Sequence, residues 1–168
     1  IHSLKDAAAE LERVLQGLRE RPPAGAPPPL EGKAFTELKG LLPLPVRGKI
    51  VNRFGKYRNP RFNVVNFRSG IDIRADRGEP IHAVSAGTVL YAEWFKGYGN
   101  MIIIDHGSFY YTLYAHAEEL FKQKGEGVDP GEVIATVGDT GSMIGPSLYF
   151  EIRHHGKPLD PADWLSQG

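Results

Sequence analysis

The spacing of apolar residues changes character along the chain. In the first 21 residues Leu4, Leu11 and Leu18 recur every seven, with Ala7 and Val14 between them. Lys5, Asp6, Glu10, Glu12, Arg13, Arg19 and Glu20 fill the remaining faces. This pattern predicts a helix with one apolar seam, over about two and a half heptads. It suits the end of a coiled coil or an amphipathic helix lying on its own domain. Residues 21–29 (RPPAGAPPP) hold five of the thirteen prolines. Such a run can be neither helix nor central strand and reads as a semi-stiff, extended spacer. The chain therefore divides into a helix (1–21), a Pro-rich linker (22–32) and a domain (33–168). Few contacts should cross such a linker, so the helix is expected to add little to the domain's core. Residues 33–42 offer one short helical turn, which Pro43 and Pro45 stop.

Beyond residue 46 the signals are all β. Short apolar runs at 81–84, 88–92, 101–105, 109–115, 132–137 and 147–153 alternate with turn signals such as Asp76-Arg-Gly78, Asp129-Pro-Gly131 and Gly138-Asp-Thr-Gly141. The fold class is mainly β, a compact antiparallel sandwich or half-open barrel. Met101-Ile-Ile-Ile-Asp105 hardly alternates, which predicts a central strand covered on both faces. The final strand does alternate. Leu148, Phe150 and Ile152 point one way, and Ser147, Tyr149, Glu151 and Arg153 the other. The second row is polar and partly aromatic, and is expected to face a groove or solvent.

Composition narrows the function. Across 168 residues, 20 Lys and Arg balance 20 Asp and Glu, so the basic surplus of a general nucleic-acid binder is missing. With 41% hydrophobic and 24% charged residues the chain can bury a core. No apolar run approaches the ~18–20 residues that span a bilayer. The absence of cysteine excludes disulfides, thiol nucleophiles and thiolate metal sites. The chain opens on Ile1 without a signal-like segment, and reads as the C-terminal part of a longer protein.

Six histidines are the natural candidates for metal or acid–base chemistry: His2, His82, His106, His116, His154 and His155. None forms the His-x-His or His-x-x-x-His spacing that aims two imidazoles at one ion. His154 and His155 precede a turn and should diverge. His82 reads as structural or surface, and His106 as shaping a strand end. His116 stands out, since it ends Tyr110-Tyr-Thr-Leu-Tyr-Ala-His116 and by strand periodicity shares a face with Thr112 and Tyr114.

Seven motifs recur in a recognisable order: Arg68-Ser-Gly-Ile-Asp72, Ala83-x-x-x-Gly87-x-Val89, Gly97-Tyr-Gly-Asn100, Asp105-His-Gly107, Tyr114-Ala-His116, Val137-Gly-x-Thr-Gly141 and Gly145-Pro-Ser-Leu-Tyr-Phe-Glu-Ile-Arg153. Together they resemble the lysostaphin/LytM-type peptidase domain, a one-zinc enzyme that cuts cell-wall peptide cross-links. The resemblance covers about residues 40–165. In active members an opening His-x-Gly-x-Asp supplies two zinc ligands. A closing His-Leu-His supplies the third ligand and a catalytic histidine, and a further catalytic histidine ends Tyr-Ala-His. This sequence keeps Asp72 and His116, but carries Arg68 at the first ligand position and Ser147-Leu-Tyr149 in the closing motif. Arginine stays protonated and has no lone pair to give, and a serine hydroxyl cannot titrate as a base near neutrality. Tyrosine ionises only near pH ~10. The resemblance thus implies a degenerate former active site at Arg68, Asp72, His116, Ser147 and Tyr149, with no metal or other cofactor and no catalytic residue. Residues 68 and 72 are four apart in an extended segment, so the Arg68 guanidinium is expected to pair with Asp72.

The closing motif, Trp94 and the terminal Asp160-Pro-x-x-Trp164-Leu165 are similar to those of EnvC-type murein hydrolase activators. That similarity implies a non-catalytic, periplasmic activator of N-acetylmuramoyl-L-alanine amidases at the division site. It implies an upstream coiled coil engaged by an FtsEX-type ABC transporter. The amidase would bind in the old groove, through Arg68, Tyr98, His116, Ser147, Tyr149 and Arg153. Two alternatives stay open: a peptidoglycan-binding module, and a zinc endopeptidase using Asp72, His116 and a further ligand such as His82 or His106. A lipoyl-type carrier would need an exposed lysine at a hairpin tip, and the flanks of Lys96 do not match one.

Overall fold

The structure, a computed structural model, describes residues 9–15, 34–59 and 61–166. Leu4, Ala7 and Leu18 of the heptad seam, and the proline-rich run at 21–29, lie outside these residues. Twelve strands follow a short 3-10 turn at Phe35–Leu38. They are β1 (Lys49–Asn52), β2 (Gly55–Asn59), β3 (Val64–Arg68), β4 (Ile71–Arg74), β5 (Pro80–His82) and β6 (Gly87–Phe95). The series continues with β7 (Gly99–Asp105), β8 (Tyr110–Leu120), β9 (Gly127–Val128), β10 (Val133–Val137), β11 (Ser147–His154) and β12 (Lys157–Leu159). Each of the six apolar runs read from the sequence contains a strand, although the run at 81–84 leaves β5 after His82. The main sheet runs β1-β4-β11-β8-β7-β6-β9, and β10 joins β8 to β5. The strand pairs of this sheet are antiparallel.

One face of this sheet builds the larger core. Ile71, Ile73, Ile102, Ile104, Leu148, Phe150 and Ile152 are buried there. Phe35 closes one end, its ring 4.7 Å from His106 and 5.0 Å from Trp164. The other face is also covered, as the unbroken Met101–Asp105 run requires. Met101, Ile103, Leu113 and Ala115 pack with Leu11 and Leu15 of a helix over residues 9–15. Both leucines are fully buried. The expectation that the N-terminal helix contributes little to the core is therefore overturned. The sheet's second face is apolar at β7 and β8 and needs a cover, and this amphipathic helix supplies it. β2 and β3 form a separate two-stranded hairpin.

Candidate functional site

The site is laid across three adjacent strands. Tyr149 of β11 pairs with Asp72 of β4 on one side and Ala115 of β8 on the other. His116 follows Ala115 at a bulge. β8 pairs Ala117 with Asn100 but Tyr114 with Ile102, so Ala115 and His116 together oppose Met101. His116 takes φ +67°, in the left-handed region, as such an irregularity demands. The extra residue reverses the alternation and puts His116 beside Tyr149, ring centroids 6.2 Å apart. The expected shared face of His116 with Thr112 and Tyr114 is corrected accordingly. Those two are buried on the opposite side, their hydroxyl oxygens 3.0 Å apart, with Thr112 Oγ1 2.7 Å from His106 Nε2.

Around the site two glycine-bearing turns lock together. His116 Nδ1–H donates to the Thr140 carbonyl at 2.8 Å, which leaves Nε2 as its free ring nitrogen. Thr140 Oγ1 donates to the Ala117 carbonyl at 2.8 Å and accepts from the Asn100 amide at 3.1 Å. Gly99, at φ +72°, must be glycine, because a Cβ there would stand 2.1 Å from the Thr140 carbonyl oxygen. Burial lowers the His116 pKa, opposed by the Thr140 bond and by the charge of Asp72. Asp72 accepts from Asn52 Nδ2 at 2.9 Å. The Tyr149 hydroxyl donates to Glu151 Oε2 at 2.5 Å, and burial holds its pKa well above the ordinary tyrosine value.

Arg68, Asp72, Tyr98, His116 and Tyr149 line one cavity of about 330 Å³. Arg68 does not pair with Asp72. Its guanidinium lies 4.1 Å from the centre of the Tyr57 ring and donates to the Arg53 carbonyl at 3.3 Å. The bend at Ser69-Gly70 between β3 and β4 breaks the continuous strand on which the expected pairing depended. Two further expected groove residues lie elsewhere. Ser147 is fully buried, its hydroxyl donating to the Gly145 carbonyl at 3.1 Å. Arg153 is 2% exposed. It donates to Glu151 Oε1 at 2.5 Å, to Glu12 Oε1 of the helix at 2.5 Å and to the Gly156 carbonyl at 2.9 Å. Burial alone would lower its pKa, but Glu151 and Glu12 raise it above the ordinary arginine value. The outward row of β11 thus serves the cavity at Tyr149 and the helix at Glu151 and Arg153.

Sequence reasoning missed part of the wall. Asn52, Tyr57 and Phe67 come from β1 and the β2–β3 hairpin, and Ser142–Ile144 form the opposite rim. The hairpin gave little signal, because its strands mix Arg, Asn and Val without a buried face. His2 lies outside the described residues, and the other four histidines have structural roles. His82 Nδ1–H donates to the Gly131 carbonyl at 2.9 Å. His106 Nδ1–H donates to the Ala86 carbonyl at 2.7 Å, and burial pushes its pKa down to about 4. His154 stacks on Tyr110 and His155 on Phe109.

The donor set does not fit a catalytic zinc, which takes three protein ligands and an open position. The cavity offers the Asp72 carboxylate and the His116 imidazole, with the Arg68 cation also in its lining and the protonated Tyr149 hydroxyl bonded to Glu151. Among the described residues no group of three or more His, Asp or Glu is placed to hold a metal ion.

A family model described as peptidase family M23 matches residues 66–161, which includes Arg68, Asp72, His116, Ser147 and Tyr149. The chain belongs to peptidase family M23. Among its relatives, a Pseudomonas aeruginosa protein named lipoprotein NlpD/LppB homolog is 38% identical over 86% of this chain and 45% of its own length. The Escherichia coli murein hydrolase activators EnvC and NlpD are 34% and 37% identical over 73% of this chain, and 28% and 31% of their own lengths. The chain therefore spans less than half the length of these relatives. Of solved structures, a zinc-containing peptidase from Vibrio cholerae superimposes with a TM-score of 0.68 at 29% identity, over 74% of this chain and 40% of that one. A P. aeruginosa structure titled as a putative M23 peptidase gives 0.71 at 25% identity, over 97% of this chain and 64% of that one. These neighbours carry the same M23 fold.

Proposed function

We propose that this M23 domain is a non-catalytic activator of cell-wall amidases. The observation that carries the reading is the cavity's chemistry. By the resemblance Arg68 and Tyr149 take positions of LytM-type zinc ligands, and the cavity's remaining donors are Asp72 and His116. The relatives named EnvC and NlpD support an activating role, and their similarity fits either type of activator. The partner is a zinc-dependent N-acetylmuramoyl-L-alanine amidase, and a segment of it occupies the cavity. Tyr98 and Tyr149, ring centroids 5.8 Å apart, give that segment an aromatic floor, and Arg68 gives it a cation at the rim. Tyr and Arg are the residue types that most often dominate such contacts. In this reading the domain works in the periplasm at the division site, behind a coiled coil held by an FtsEX-type transporter.

The test is release of dye from labelled cell walls by a purified amidase, with and without this chain. The chain alone should release nothing and should accelerate the amidase, and Tyr149→Ala should remove the acceleration. Metal analysis of the purified chain should find zinc far below stoichiometry. Wall cleavage by the chain alone would overturn the reading. Wall binding without any effect on amidases would make the domain a peptidoglycan-binding module.

A further inference from the structure

The charge of this chain is unevenly placed. Between Leu38 and Ile71 there are eight Lys or Arg and no Asp or Glu, so in a neutral chain the remainder carries −8. The second half of the basic segment, with four of its eight cations, is the β2–β3 hairpin. Among the described residues it pairs with no other strand. Register places Lys56 opposite Phe67 and Arg58 opposite Val65 on one face, with Tyr57 opposite Asn66 and Val64 on the other. Val65 and Phe67 are each 54% exposed, Val64 48%, and Phe62 in the turn 56%. Apolar side chains therefore meet water on both faces and in the connecting turn. Among the described residues Lys56 and Arg58 form no ion pair; Arg58 donates to Asn63 Oδ1 at 2.5 Å.

A protein segment docking on one face of a strand pair would leave the other face's apolar residues in water, because neighbouring side chains point oppositely. A bilayer interface surrounds both faces at once. Cations beside exposed aromatic and aliphatic groups are the combination that holds a segment at an anionic lipid surface. The hairpin's two open edges limit its depth, since unpaired backbone groups cannot enter hydrocarbon. We propose that the β2–β3 hairpin seats on an anionic bilayer, with Phe62, Val64 and Val65 among the headgroups and Lys56 and Arg58 against lipid phosphates. The base of the hairpin carries Tyr57 and Arg68, so this contact would hold the mouth of the cavity close to the membrane.

The test is sedimentation of the full chain with vesicles of phosphatidylcholine, with and without phosphatidylglycerol. Binding should require phosphatidylglycerol and weaken with added salt. The double variant Phe62→Ser, Val65→Ser and the variant Arg58→Glu should each lower the bound fraction by about tenfold at unchanged circular dichroism. None of these residues lines the cavity, so amidase activation in vesicle-free solution should stay at the parent level. The proposal falls if the parent stays in the supernatant with both vesicle types, or if the double variant sediments as well as the parent. It also falls if the variants lose amidase activation in solution while the parent ignores vesicles, because the hairpin would then be a protein-docking wall. Failure at the vesicle step leaves the amidase reading standing, since the two assays share no component but this chain.

Discussion

Arg153 of β11 and Glu12 of the N-terminal helix meet at 2.5 Å although 141 residues separate them. The same guanidinium holds Glu151, which is fully buried and also accepts a hydrogen bond from the Tyr149 hydroxyl. Removing the arginine would leave the Glu151 carboxylate buried without its cation. Arg153→Ala should therefore cost about 3 kcal/mol of stability. Glu12→Ala should cost about 1 kcal/mol or less, because its carboxylate is half-exposed. Urea unfolding of both variants decides this, and equal losses would contradict it.

The helix itself should matter to the fold. Leu11 and Leu15 are buried against Met101, Ile103 and Leu113. Burial of two leucines contributes about 4 kcal/mol, so deleting residues 1–29 should lower Tm by roughly 10 °C. A deletion that melts with the parent would show that the contact adds nothing in solution.

Tyr149 separates two roles within one side chain. Tyr149→Phe keeps the ring and removes the hydroxyl that Glu151 accepts, at a stability cost of about 1 kcal/mol. It should retain most amidase activation, whereas Tyr149→Ala should lose it. Equal activation by the Ala and Phe variants, measured as dye release, would place the docking contact elsewhere.

Burial holds His106 near a pKa of about 4, against about 6.5 for a free imidazole. The unfolded chain then binds the extra proton first as pH falls. Stability from this group is complete above about pH 6.5 and is lost progressively down to about pH 4, amounting to about 3 kcal/mol. NMR titration should find His106 neutral at pH 5. A midpoint near 6.5 would show that the imidazole is accessible to water.

Much of the β architecture was legible in the sequence, because burial on one or two faces leaves a periodic trace. Met101–Asp105 has no polar side and is indeed covered on both, while Leu148, Phe150 and Ile152 alternate into the core. What covers the second face was less legible. The heptad seam fitted a coiled coil and a docked helix equally well, and only the apolar outer residues of β7 and β8 decide between them. His116 lines the cavity, yet on the face opposite to the one strand parity predicts, since a bulge inverts that parity without marking the composition. Arg68 kept its place in the cavity and lost its expected partner to the bend at Ser69-Gly70.

The bed of the cavity and its banks differ in mechanical kind. Asp72, Tyr149 and Ala115 sit side by side on hydrogen-bonded strands, so their spacing is fixed by the sheet ladder. The banks are a hairpin tied to no other strand among the described residues, and the short stretch Ser142–Ile144, with Met143 open to solvent. Changes of length or side chain in either bank leave the bed undisturbed. The fit of a partner can therefore be retuned at the cavity-lining positions Tyr57, Phe67 and Ser142–Ile144 without moving the stiff floor beneath it.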